Sequence, residues 1–141
     1  MLSLAPIIAD DFDALFELRM ASMLENLQRL GLGDRQRSLD RFRSQFEPEF
    51  MSWILRDGER IGFTKLQARD GHLHIDHLFI QPGRQGGGAG AWVLDRAKSR
   101  GLDITLSTLK LSPANAFYLQ HGFVKTGEEE FDIQYRWSAP R

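Results

Sequence analysis

The sequence predicts a mixed α/β (α+β) domain in which an antiparallel meander of strands leads into strand, helix, strand, helix, strand. Two Asp-Gly pairs, Asp57-Gly58 and Asp70-Gly71, separate three strand-like runs, the signature of tight type I′ hairpins. Apolar stripes with helical steps of three and four stand on both sides of that meander. A chain of 141 residues is long enough for one well-packed core and too short for two, so 1–141 is expected to form a single domain.

The elements follow in order. After the apolar start Leu2 to Ile8, Asp10 and Asp11 are placed to cap a helix whose stripe is Phe12, Phe16, Met20, Met23, Leu27 and Leu30, ended by Gly31 and Gly33. Leu39, Phe42 and Phe46 carry a shorter helix that stops before Pro48, because the residue preceding a proline is pushed out of the helical region. The three runs of the meander are Ser52 to Leu55, Ile61 to Ala68 and His72 to Ile80. Ala89, Val93 and Ala97 predict a helix over 88–100, and Asp103 to Leu109 alternates as a strand. Ser112 or Pro113 opens a helix with Ala114, Phe117, Tyr118 and His121 on one stripe and Gly122 as its C-cap. Phe123 to Lys125 and Phe131 to Trp137 are the last strand candidates.

Composition narrows the function. Hydrophobic residues at 42% and charged residues at 26% are those of an ordinary compact domain. A net charge of -1 without basic runs lacks the electrostatic footprint of a nucleic-acid or anionic-membrane binder, so neither partner is expected. No apolar stretch approaches a membrane span and the start lacks a signal-peptide pattern, which makes a cytoplasmic location the expectation. With no cysteine, any acyl group carried on a thiol must ride on a cofactor's thiol.

Five of the thirteen glycines fall between Gly83 and Gly90, between the apolar strand end Leu78-Phe79-Ile80 and the next helix. A strand that turns straight into a helix aims several backbone N–H groups in one direction, and the helix dipole adds positive potential there, so phosphate oxygens bind without a lysine. The P-loop pattern fails because Gly88 is followed by Ala89-Gly90 and not by Lys-Ser or Lys-Thr. A dinucleotide fingerprint fits Gly86 to Ala91, but too little chain follows for the large parallel sheet it belongs to.

Gln85-Gly86-Gly87-Gly88-Ala89-Gly90 resembles the signature of the GNAT superfamily of acyl-CoA-dependent N-acyltransferases: Gln or Arg, two residues, Gly, one residue, Gly or Ala. Downstream, Ala114 to Phe123 looks like the family's helix that ends in Phe-Tyr, three residues, Gly-Phe. The resemblance covers Ile54 to about Phe123 well. It implies a mostly antiparallel sheet of six to seven strands with about four helices, and transfer of an acetyl group from acetyl-CoA to a primary amine in a ternary complex. It assigns cofactor contacts to Leu78, Phe79, Ile80, Gln85, Gly86, Gly87, Gly88, Ala89, Gly90 and Phe117, with the amides of Phe79 and Ile80 on the pantetheine and the thioester carbonyl. Leu111 stands where many members have asparagine, and Asn115 is the nearby substitute. Tyr118 is implied as the acid that protonates the departing thiolate. The resemblance also leaves a homodimer open.

An amine nucleophile is mostly protonated at neutral pH and needs a route for its proton. In His72 to Asp76 the ionisable His72, His74 and Asp76 alternate with Leu73 and Ile75 and so share one face, making His74, or Asp76, the candidate base. The break of alternation into Leu78-Phe79-Ile80 points to a bulge. The same strand spells His72-x-His74-x-Asp76-His77, which resembles the zinc motif of metallo-β-lactamase-like hydrolases; alternation sends His77 to the other face, and His121 is the only further histidine. No metal is expected. A zinc-dependent hydrolase and a non-catalytic acyl-CoA-binding module are the competing readings. Arg19, Glu25, Asp132, Tyr135 and Trp137 are expected to border the acceptor, which the sequence does not identify.

Overall fold

Both Asp-Gly pairs form the turns their chemistry favours. Asp57, Gly58, Asp70 and Gly71 have φ of 52, 83, 46 and 82°, the left-handed backbone a type I′ turn requires. They join β2 (Met51–Arg56) to β3 (Glu59–Arg69) and β3 to β4 (His72–Ile80) through two-residue loops. The structure, a computed structural model that describes residues 1–141, adds β1 (Leu2–Pro6), β5 (Ile104–Leu109), β6 (Val124–Glu128) and β7 (Asp132–Trp137). The seven strands form one sheet in the order β1-β2-β3-β4-β5-β7-β6. Every pairing is antiparallel except β4 with β5, because α3 (Ala89–Lys98) forms the crossover between those two.

Helices cover both faces. On one, α1 (Phe12–Arg29) and α2 (Arg35–Gln45) bury Leu15, Phe16, Met20 and Phe42 against Met51, Trp53 and Phe63 of the meander. On the other, α3 and α4 (Ala114–Gln120) bury Val93, Leu94, Ala97 and Tyr118 against Ile54, Leu73, Ile75, Ile104 and Leu106. The expected cap at Asp11 differs: its carboxylate turns away from α1 and accepts from the Ile8 amide and the Trp53 indole at 3.0 and 3.1 Å, tying the helix entry to β2. Asp34 caps α2 instead, accepting from the amides of Gln36 and Arg37.

Two irregularities of β4 position the site. Lys65 pairs with His77 and Leu66 with Ile75, so Asp76 is an extra residue, a bulge. The bulge resets the alternation. Leu73, Ile75 and then Leu78 and Ile80 pack on the α3–α4 face, while His77 and Phe79 stack with Phe42 and Phe63 on the α1–α2 face. The expectation that His77 lies on the opposite face from His74 is therefore corrected: strict alternation holds only as far as Ile75. The second irregularity is a parting of strands, since β4 pairs with β5 only at Leu73–Ile104, His74–Thr105 and Ile75–Leu106. Beyond Ile75, β4 stays with β3, β5 stays with β7, and the two halves of the sheet diverge.

Candidate active site

The divergence leaves one edge of β4 without a strand partner. In an antiparallel ladder, amides point alternately to the two neighbours. The Gln81 amide donates to the Ile61 carbonyl at 2.7 Å, so Phe79, two residues back, also faces β3, and Leu78 and Ile80 face the gap. The Ile80 carbonyl agrees: it accepts from Gln85 Nε2 at 3.2 Å, outside the ladder. Of the two amides expected at the thioester, that of Ile80 is available and that of Phe79 is held by the sheet, while Leu78 offers a second.

Where β4 ends, the chain folds into the glycine-rich turn. Gly83, Gly86 and Gly88 have φ of 88, 84 and 83°, and Gly88 is the N-cap of α3. The first helical bond is Trp92 N–H to the Gly88 carbonyl at 3.0 Å, and none of the amides from Gln85 to Ala91 has an acceptor within the chain. Successive free amides at a helix start, two of them beside left-handed glycines, form a concavity that fits phosphate oxygens. Arg56 anchors it by donating to the Gly87 carbonyl at 2.7 Å. The Ala89 side chain is buried with Ile54 and Ile61, so only its amide is offered. Gly90 has a different reason: a Cβ there would stand 3.0 Å from the Phe117 ring, so the missing side chain lets α4 close on α3.

Tyr118 is 6% exposed among Phe117, Phe123 and Tyr135, in the cluster that also holds Leu73, Ile75 and Leu106 and against which Leu78 packs. Burial raises its phenol above the usual range, so it is a protonated donor at neutral pH. Asn115 is a correction. Its Nδ2 donates to the carbonyls of Leu109 and Ser112 at 3.0 and 2.9 Å, and its Oδ1 accepts from the hydroxyls of Thr108 and Tyr135 at 2.5 and 2.8 Å. All four bonding positions are used, which leaves none for a cofactor. Leu111 has φ of 70° and is 61% exposed, so the departure from asparagine places a branched apolar side chain in a left-handed position that asparagine tolerates better.

On the α1–α2 face, His74 and Asp76 converge. His74 Nδ1 lies 2.8 Å from Thr105 Oγ1, and His74 Nε2 lies 3.3 Å from Asp76 Oδ1. Burial alone would raise the Asp76 carboxyl; the His74 hydrogen bond and the charges of Lys65, His74 and Arg69 outweigh it and hold it at about 2. Asp76 is thus a firm anion and a poor proton acceptor, suited to orienting His74. The chain Thr105–His74–Asp76 includes a residue the sequence reading missed. Its one signal was that Thr105 alternates with the buried Ile104 and Leu106.

Beside them, Lys65 is buried and held by Glu47, Asp76 and the Gln45 carbonyl at 2.8, 3.3 and 2.8 Å. Burial, and then the charge of Arg19, push the His77 imidazole down to about 3. No three His, Asp or Glu side chains are arranged to hold a metal ion, so the His72 to His77 motif does not form the zinc cluster its spacing suggested; His77 is sealed among phenylalanines. The five residues expected around the acceptor do not come together. Arg19 lies on α1 and Asp132 opposite Leu109 at the open end of β5, with Arg41 in electrostatic reach of both. Trp137 pairs with Ile104 at the closed end, Tyr135 is in the core, and Glu25 is on the surface with Arg29. No helix is long and apolar enough to cross a membrane.

The acetyltransferase (GNAT) domain family matches residues 48–125. No curated protein matches the sequence. Among solved structures, PaiA N-acetyltransferase of Thermoplasma acidophilum, in complex with coenzyme A, is similar with a TM-score of 0.76 at 15% identity over 98% of this chain and 99% of that one. YjaB of Escherichia coli, an apo-form solution structure, gives 0.79 at 20% identity over 99% of each chain. The ribosomal-protein-S18-alanine N-acetyltransferase of Escherichia coli gives 0.72 at 16% identity over 100% of this chain and 96% of that one. At identities this low the likeness is one of fold.

Proposed function

The chain belongs to the GNAT acetyltransferase family, and from that premise we propose that it is an N-acetyltransferase moving an acetyl group from acetyl-CoA to a primary amine by direct transfer in a ternary complex. The observation that carries the reading is the parting of β4 from β5 between a cradle of unpartnered amides and a buried, protonated tyrosine.

Acetyl-CoA would supply the acyl group and its thiol as leaving group. Amides from Gln85 to Gly90 hold the pyrophosphate, with α3 adding its dipole. The Leu78 and Ile80 amides face the gap and stabilise charge developing on the carbonyl oxygen, a contribution of about 3 kcal/mol for one such donor in other enzymes. Tyr118 gives its phenolic proton to the departing sulfur as the carbon–sulfur bond breaks. The attacking amine loses its proton to His74. Asp76 fixes the imidazole by accepting from Nε2–H, which leaves Nδ1 as the receiving atom, reached through the Thr105 hydroxyl. His74 and Tyr118 lie on opposite faces of the sheet, so the proton is taken on one side of the gap and given on the other.

The test pairs a thermal-shift titration with CoA and a free-thiol release assay with acetyl-CoA across an amine panel. A shift with CoA and acceptor-dependent thiol release are expected. No shift with CoA would end the reading.

A further inference from the structure

On the α1–α2 side of the gap the fold contains a charge it does not use. Arg19 is 5% exposed, its Nε and Nη1 are sealed without a hydrogen-bond partner, and it takes part in no ion pair. Its guanidinium stands over the Phe42 ring at 5.7 Å, with the His77 imidazole and the Arg41 cation in electrostatic reach. The carboxylates of this region are committed elsewhere: Asp76 to Lys65, Arg69 and His74, Glu47 to Lys65, and Glu17 to Arg35. Asp132 is felt by Arg41 but forms an ion pair with neither arginine.

An isolated buried guanidinium costs stability that an apolar side chain of similar size would not. Such a group is explained when its partner is absent from the chain and arrives as a ligand. The ligand chemistry follows from the charge and the donors: a permanently charged guanidinium recognises carboxylate or phosphate oxygens, and Nη2 is the nitrogen of Arg19 that is not sealed. The location follows from α1, which packs on β4 on the same face as His74 and His77, where the amine would lose its proton.

Resting on the acetyltransferase reading above, we propose that Arg19, backed by Arg41, binds an oxyanion of the acceptor, so that the substrate is an amine that also carries a carboxylate or phosphate group. Amino acids and aminoalkyl phosphates belong to this class, and simple alkyl amines and aminoglycosides do not. Arg19 is then a specificity-determining residue, absent from the chemistry itself.

The test begins by confirming CoA binding in a separate thermal-shift measurement, since its failure would mark the acetyltransferase reading as wrong and take this proposal with it. The CoA-loaded protein is then titrated by calorimetry with matched probes: N-acetyl amino acids against their amides, and N-acetylethanolamine phosphate against N-acetylethanolamine. At least one acid should bind roughly tenfold tighter than its neutral counterpart, and which series shows the preference separates carboxylate from phosphate. That preference should vanish in Arg19→Met, fall partway in Arg41→Gln and be partly kept in Arg19→Lys. The thermal midpoint of Arg19→Met should rise, because an unpartnered buried cation has been removed. Equal binding of every acid and its neutral counterpart, a preference that survives Arg19→Met, or a fall in that midpoint would overturn the proposal.

Discussion

The two sides of the gap are built from different material. The α3–α4 side offers backbone: free amides from Gln85 to Ala91, the Leu78 and Ile80 amides, and one phenol. The α1–α2 side offers side chains brought from distant segments, with Arg19, Arg41, Lys65, His74, Asp76 and His77 arriving from two helices and two strands. A backbone site depends on turn geometry and can be written in a few contiguous glycines. A side-chain site depends on which helix packs over which strand, so it is free to change without disturbing the glycine-rich turn.

The sharpest way to break this division is Tyr118→Phe, which removes the donor from the backbone side. We expect kcat to fall about a hundredfold, with CoA affinity and thermal midpoint nearly unchanged. Unchanged turnover in the thiol-release assay would take the tyrosine out of the reaction.

On the other side, His77→Phe should change the pH dependence of stability. The His77 pKa is about 3 in the folded chain, well below its unfolded value, so below about pH 6.5 the unfolded chain binds a proton the folded chain does not. Stability is therefore lost as pH falls, at about 1.4 kcal/mol per pH unit, and is fully present above the unfolded pKa. Phenylalanine fits the pocket of Phe42, Phe63 and Phe79 and should abolish that part of the slope in denaturant titrations at pH 7, 6, 5 and 4. A slope equal to that of the wild type would show that His77 protonates in place.

Asn115→Ala separates scaffold from cradle. Removing its four hydrogen bonds strands two buried hydroxyls and two carbonyls, and should cost about 2 kcal/mol in urea unfolding while CoA affinity per folded molecule stays the same. A selective loss of CoA affinity would restore the residue to the cofactor site. The smallest effect is expected at Gly88→Ala, where a Cβ meets nothing within 4 Å and the penalty is only the left-handed backbone, about 1 kcal/mol. Because the strain falls on the N-cap of α3, CoA binding should weaken more than stability does, measured by comparing the two midpoints.

Much of the fold was legible because its signals are local. The Asp-Gly turns fix two hairpins, helical stripes fix all four helices, and the glycine cluster marks the tight turn that leads into α3. The site was legible only where backbone conformation builds it. Sequence order placed Asn115 near the cofactor, yet its side chain turns inward to staple the loop after β5 to Tyr135. Alternation separated His77 from His74, and one extra residue at Asp76 reversed that. Trp137 and Asp132 are five residues apart on one strand, but pairing with β5 puts them at opposite ends of that strand, Trp137 where β4 and β5 are joined and Asp132 where they have parted.

By itself the sequence determined the helices, most of the strands, their order and the glycine-rich turn, since turn and helix preferences are set by neighbours along the chain. Only the tertiary structure decided where β4 leaves β5, which amides face the opening, that Thr105 completes a chain with His74 and Asp76, and that Arg19 is buried with no partner. Those outcomes depend on register and on contacts between segments far apart in sequence, where a single-residue bulge redirects every side chain that follows it.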